Sequence, residues 1–414
     1  MVGSVVEYFD FLIFATVAGL VFDKLFFPGE NKSLSTLMVL STFAVGYLVR
    51  PLGGVLFGHL GDKHGRRRVL LATFVIMAVA TVLIGVLPTY QTIGPAAPVL
   101  LVALRVMQGL GAGGEYGGAV VMVVEHTHET GRRGFYGALT TSAVSGGIMV
   151  AAGTMAVLTA VTSDAQFEAW GWRLPFLASS VLLVVGLYMR RRVAETPVMK
   201  AALEKGHIVK SPLREVFRRH RRTVLVALLV PTAMSVAAQV VKVFSIPYVT
   251  DESSISASSL LTMITIGQVF HMGALVAAGW WSDKVGRRRP MALGAAGLLV
   301  WGFAYFPLLL SGSRVLGLIA ISVALVFVGL IYGPLATFLS ELFGTGVRYT
   351  GLSFVYQVNS AVVAGLTPAA ATALVGVSGS WTVVAVMVTV SAAVSLAAVL
   401  ASRDNHEASL EREA

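Results

Sequence analysis

Long, uninterrupted apolar runs recur along the chain. Val69 to Pro88, Leu174 to Met189 with its flanks, Val315 to Tyr332 and Trp381 to Ala401 each approach the roughly 20 residues with which a helix crosses a bilayer. Lipid allows a spanning backbone two solutions, helices or a closed barrel. Runs this long without alternation select helices. The pattern predicts twelve, near 2–22, 34–58, 69–88, 98–123, 135–161, 172–190, 222–247, 258–281, 290–311, 315–339, 351–375 and 380–401. The breaks carry turn chemistry such as Phe27-Pro28-Gly29 and Thr92-Ile93-Gly94-Pro95,. The first run continues past Asp10 to Phe22 without a small-residue cleavage site, so no cleavable signal is expected,.

Composition fits lipid as the solvent. Of 414 residues, 56% are hydrophobic and 13% charged, against about 25% charged in a soluble domain, and the mean hydropathy is +0.79. A net charge of +10 would suit nucleic acid, but its placement does not. With the N-terminus inside, 24 of the 31 Lys and Arg fall in inner segments. The outer segments hold Lys24, Lys32, Arg173 and Arg314, and Arg50, Arg105 and Lys242 lie within apolar spans. This bias puts both termini in the cytoplasm, so the excess charge marks topology and no nucleic-acid partner is expected. The longest hydrophilic stretch, Arg190 to Arg222, separates an N-terminal six-helix bundle (1–190) from a C-terminal one (222–402), with 191–221 as cytoplasmic linker and 403–414 as cytoplasmic tail. There is no cysteine, hence no disulfide or thiolate metal site,, and no metal site is expected.

An internal repeat joins the halves. Gly58-His59-Leu60-Gly61-Asp62-Lys63-His64-Gly65-Arg66-Arg67-Arg68 returns, shifted by 221, as Gly279-Trp280-Trp281-Ser282-Asp283-Lys284-Val285-Gly286-Arg287-Arg288-Arg289, each time after the second helix of a half. Glu125 to Phe135 and Glu341 to Tyr349 pair less closely, with Arg133 and Arg348 just before a helix. Parallel halves are a transporter pattern.

This twice-used loop resembles the signature loop of the major facilitator superfamily, and Arg105-Val106-Met107-Gln108-Gly109, continuing to Gly114, resembles that superfamily's fourth-helix motif with its buried arginine. Glu7-Tyr8-Phe9-Asp10-Phe11, Arg50-Pro51, Gly113-Gly114-Glu115-Tyr116-Gly117-Gly118, Gly171-Trp172-Arg173 through Phe176, and Glu341 through Gly351 are similar to the metabolite:proton symporter family over essentially the whole chain. The family usually has several more residues before its Glu-Tyr segment; a misplaced translation start or a trimmed chain would each shorten the cytoplasmic end of the first helix here. The resemblance implies an all-α integral membrane protein of twelve helices in two pseudo-symmetric six-helix bundles. It also implies that Asp62 and Asp283, with Arg66, Arg287, Arg133 and Arg348, latch the cytoplasmic side. Basic residues that simply retain the loops inside are the plainer account, and both can hold.

Ionisable groups at membrane depth are functional candidates because each is costly there. Glu7 and Asp10 share a face of the first helix. Asp10 and Arg105 converge in depth near the bilayer middle, which suggests an ion pair, either permanent or released when the carboxylate is protonated. Glu115, about three turns beyond Arg105, is a proton relay or a partner for a neighbouring helix, while the glycines around it serve packing. Ser235, Gln239 and Lys242 fall at i, i+4 and i+7, one polar stripe of an α-helix,. Lys242 either binds a carboxylate or snorkels to the interface. His271, three residues after Gln268, is a hydrogen-bonded helix residue or a proton carrier. Tyr8, Gln108, Tyr116, Gln357, Tyr356 and Asn359 complete the candidate lining. Pro51 is expected to kink the second helix after Arg50.

No zinc-protease helix, nucleophile elbow or phosphate-binding loop occurs, so neither an enzyme nor an ATP-driven pump is expected,. Twinned halves with gating loops favour alternating access over a channel. The expected function is proton-coupled import of a small organic anion across a bacterial inner membrane, by a monomer in the lipid bilayer, with the proton as coupling ion and no other cofactor. The family carries small carboxylates such as 2-oxoglutarate, citrate or shikimate, or zwitterions such as proline and betaine. A zwitterionic osmolyte is the alternative, and drug or metabolite efflux a third.

Overall fold

Each apolar run becomes a helix, and most continue past the apolar stretch into charged sequence, because a helix can outrun the lipid once water satisfies its ends. In the computed structural model, residues 2–29, 32–127, 130–192, 194–204 and 209–406 are described. The rods are α1 (2–26), α2 (32–64), α3 (Arg66–Val86), α4 (Ala96–His126), α5 (Arg133–Val161), α6 (164–192), α7 (Arg221–Glu252), α8 (Ala257–Val285), α9 (Arg288–Leu309), α10 (Arg314–Leu342), α11 (Thr345–Ser378) and α12 (Thr382–Ala401). Among the described residues ten helices are long and apolar enough to cross a membrane, or eleven if the bent pair Asp164–Gly171 and Arg173–Tyr188 is one span. α2 turns at Val49, and Pro51 follows in the first turn of its second segment, Arg50–His64. Two compact units result, Met1–Met122 with Ala143–Lys210, and Val123–Ser142 with Ser211–Ala414.

In the first unit an aromatic cluster closes the end away from the Asp-Lys-His loop. Trp172 is fully buried, with its ring 5.4 Å from Phe22 and 5.9 Å from Phe26. Arg173 donates to the carbonyls of Gly85 (3.0 Å) and Leu87 (2.8 Å), which the end of α3 leaves open,.

Glycines bring paired helices into backbone contact. On α4, Gly109 meets the backbone of Gly46, and Gly113 that of Arg50 and Gly54. The second unit repeats the arrangement on α10, where Gly329 meets His271 and Gly333 meets Leu275 and Gly279 of α8. Both pairs have the four-residue spacing that lets membrane helices approach closely. A Cβ at Gly113 would stand 2.8 Å from the Gly54 nitrogen. Gly113→Ala is therefore expected to cost ~1–3 kcal/mol through overpacking, read as a lower melting midpoint in detergent. Gly153→Ala is the control, since nothing lies within 4 Å of that position.

Candidate functional site

Asp10 on α1 is buried at 1% exposure. Ser179 Oγ of α6 donates to Oδ1 at 2.5 Å, and Thr81 Oγ1 of α3 donates to Oδ2 at 2.9 Å. The Thr81 hydroxyl also lies 3.0 Å from the Met77 carbonyl, so its single proton has two acceptors,. Gln108 Nε2 donates to Thr81 Oγ1 at 2.8 Å, and Gln108 Oε1 accepts from Arg105 Nη1. The expected Asp10–Arg105 ion pair is therefore not formed. Thr81 and Gln108 stand between the two charges and join them in one hydrogen-bonded line across α1, α3 and α4.

Arg105 is wholly buried, and among the described residues no carboxylate lies within ion-pair distance of it. Its Nη2 reaches the Phe43 carbonyl (3.4 Å), its Nε has no hydrogen-bond partner, and its guanidinium lies 3.8 Å from the Phe14 ring centroid. Arg50 is buried nearby, and the Phe11 centroid lies 4.3 Å from its guanidinium and 4.9 Å from that of Arg105. Aromatic faces thus offset part of the cost of two like charges. Glu115 and Tyr116 are buried on the same helix. Glu7 and Tyr8 lie on α1, but their side chains lie outside what is described.

In the second unit, α7 breaks at Val230–Pro231, and carbonyls near the break are taken by neighbours. Ser395 donates to Val230 O, and Asn359 Nδ2 to Leu228 O at 3.3 Å. Asn359 Oδ1 accepts from Ser235 at 2.6 Å, so this side chain ties α11 to α7. A π-helical turn at Val240–Phe244 follows Gln239. It inserts a residue into the α-helical period, so Ser235, Gln239 and Lys242 do not keep the single stripe their spacing suggests. Gln239 and Lys242 are half-buried, and Gln357 is buried. His271 is buried with Nδ1 2.9 Å from the Leu325 carbonyl, its ring stacked on Tyr332. The Tyr332 and Tyr356 hydroxyls are 2.8 Å apart.

The gating candidates divide between the units. Asp62 and Arg66, both buried, approach to 3.8 Å in the first. In the second, Asp283 accepts the backbone N–H groups of Gly134 (2.7 Å) and Phe135 (2.9 Å), capping α5,. Arg287 bridges Asp283 (2.6 Å) and Glu341 (3.0 Å), with Arg133 3.7 Å from Glu341. Burial pulls the Arg287 guanidinium down, but Glu341 and Asp283 more than restore it, leaving it above its ordinary value. Arg348 pairs with Glu125 and donates to Ser340 O at 2.9 Å. Both repeated arginine runs also carry an acidic cap. Glu195 accepts from Arg67 N (3.1 Å), and Asp404 from Arg287 N (3.3 Å) and Arg288 N (3.2 Å). Asp404→Ala should cost ~0.5–2 kcal/mol, the range of a lost helix cap, and lower the melting midpoint by a few degrees.

The family model of the Major Facilitator Superfamily matches residues 1–368. The chain belongs to the major facilitator superfamily. It is 37% identical to the inner membrane metabolite transport protein YhjE of Escherichia coli K12, over 89% of this chain and 84% of that one. It is 33% identical to the shikimate transporter of the same organism (98% and 93%) and 34% identical to its proline/betaine transporter (90% and 76%). In three dimensions it resembles the proton:xylose symporter XylE, with a TM-score of 0.76 at 16% identity, covering 99% of this chain and 96% of that one. FucP gives 0.71 at 14% identity, covering 96% and 97%. This superfamily member is a multi-pass inner-membrane transporter and not an enzyme. Sequence reasoning missed Thr81, Ser179, Tyr332, Glu195 and Asp404. Of these only the acidic pair had a signal, each lying shortly after the last helix of its half.

Proposed function

We propose that the protein imports a small organic anion, a mono-, di- or tricarboxylate, together with protons, by alternating access, working as a monomer with both termini cytoplasmic. The observation that carries this reading is the line from Asp10 through Thr81 and Gln108 to Arg105. Ionised Asp10 accepts from Ser179 and Thr81. When it takes a proton, its O–H finds Thr81 Oγ1 as acceptor, and the Thr81 proton turns to Met77 O. Gln108 then shares the Thr81 oxygen with a second donor, its hold on Arg105 loosens, and the guanidinium is released toward a substrate carboxylate. Glu115 is a second proton candidate on the same helix. The ion network of Asp283, Arg287, Glu341 and Arg133, with Arg348, and the pair Asp62–Arg66 act as the inner gate. The relative named for proline and betaine supports a zwitterion as the second reading, with Asp10 or Glu115 facing its ammonium.

Uptake into proteoliposomes of labelled shikimate, 2-oxoglutarate, citrate, proline and glycine betaine tests this. Accumulation that collapses with a protonophore supports symport, whereas uptake indifferent to the gradient in vesicles holding folded protein removes it. Thr81→Val keeps the shape of the side chain and deletes the relay hydroxyl. It should cut gradient-driven uptake about tenfold, the worth of one net hydrogen bond, while leaving substrate exchange near the wild-type rate.

A further inference from the structure

Lys242 and His271 in the second unit offer a cation and a hydrogen-bond acceptor. Among the described residues Lys242 forms neither hydrogen bond nor ion pair, and its ammonium lies within electrostatic reach of His271. The His271 Nδ1 lies 2.9 Å from a backbone carbonyl, which can only accept. Nδ1 therefore carries the proton, and Nε2 of the neutral ring is an acceptor. Nε2 has no hydrogen-bond partner among the described residues and is not among the buried unsatisfied atoms, so it opens to space. Stacking on Tyr332, whose hydroxyl meets that of Tyr356, holds the ring in place.

We infer that this cluster is a specificity subsite in which Lys242 holds a substrate carboxylate and His271 Nε2 accepts a hydrogen bond from a hydroxyl or N–H beside it. The substrate class is then a hydroxy acid, or an acid bearing an N–H, in preference to keto acids and simple acids. A keto oxygen would set two acceptors face to face, and a methylene would leave Nε2 unpaired. A site built to bond a substrate donor rejects analogues that lack it far better than an apolar pocket rejects an added group. The inference rests on the carboxylate reading above.

The test is ligand stabilisation of the purified full-length protein in detergent, read as dissociation constants from melting shifts. The probes are the matched pairs malate and succinate, citrate and tricarballylate, proline and glycine betaine. In any pair that binds, the member with the donor is expected to bind at least about tenfold more tightly. His271→Phe should bring the two members together, while Lys242→Gln should weaken both by the same factor. Equal binding within every binding pair of the wild-type protein overturns the inference and leaves the carboxylate reading standing. Absence of binding by all six acids removes that reading and the inference with it. Because the wild-type comparison decides, a variant that fails to fold does not shield the proposal.

Discussion

Asp10→Asn is expected to abolish accumulation against a gradient while preserving exchange of substrate across the membrane. An inward gradient of about two pH units lets a one-proton symporter concentrate its substrate up to ~100-fold, since each unit is worth about 1.36 kcal/mol, or tenfold. The variant should fall to a ratio near one. The substitution suits the question because asparagine keeps the size of the side chain and its carbonyl still accepts from Ser179 or Thr81, either of which lies within hydrogen-bond range. Its amide donates to the other hydroxyl as a protonated carboxyl would. The protein is thus held in one of the two states between which a proton would switch it, and counterflow, which needs no net proton movement, should continue. Proton-driven accumulation at the wild-type level would remove Asp10 from coupling and leave Glu115 as the candidate. Loss of both activities with a lowered melting midpoint would make Asp10 a structural anchor for α1, α3 and α6.

The broad architecture was legible because lipid is an undemanding reader of sequence. It asks for length and apolarity, and α3 or α12 supplies both in plain view. The run Gly109 to Gly114 announced a close helix contact, which Gly109 and Gly113 make. The site was legible only in its charged members. Threonine and serine are common in apolar helices, where they bond their own preceding carbonyls, as Thr154 does with Val150,. Nothing in the spacing separates Thr81 or Ser179 from these. The direct Asp10–Arg105 pair failed for that reason, since matching depth along two helices says nothing about side chains from a third standing between them. The polar stripe of α7 failed because a period of 3.6 was assumed across a π-helical turn that no local composition marks. Glu195 and Asp404 share a place after the last helix of each half, but their capping partners lie more than a hundred positions away, so that shared place did not name them.

Glu341→Gln is expected to be among the most damaging isosteric changes in the second unit. Glu341 is 2% exposed at its side chain and takes both the Nε (3.2 Å) and the Nη2 (3.0 Å) of Arg287, with Arg133 also beside it. Removing one member of a buried ion pair typically costs ~3–5 kcal/mol, because the remaining charge stays desolvated without compensation. Here the buried Arg287 guanidinium would be left to Asp283, whose oxygens already cap α5. A surface pair gives the contrast. Glu215→Gln breaks the exposed Arg219–Glu215 contact at 3.0 Å, and such pairs are worth at most ~1 kcal/mol, so its melting midpoint should barely move. Stability alone does not separate a gate from a strut, but the absence of native cysteine allows a cleaner readout. Thr337 is fully buried and donates to the Arg133 carbonyl at 3.0 Å, so a Thr337→Cys reporter sits where α10 holds α5. In the otherwise native protein it should react slowly with maleimide, and in the Glu341→Gln background at least about tenfold faster, as the carboxylate that holds both arginines is lost. Faster labelling at a temperature well below unfolding would mean that this network controls a local opening. A lowered midpoint with unchanged labelling would mean that Asp283 re-pairs the arginines in place, and the network would then be a fixed brace rather than a gate.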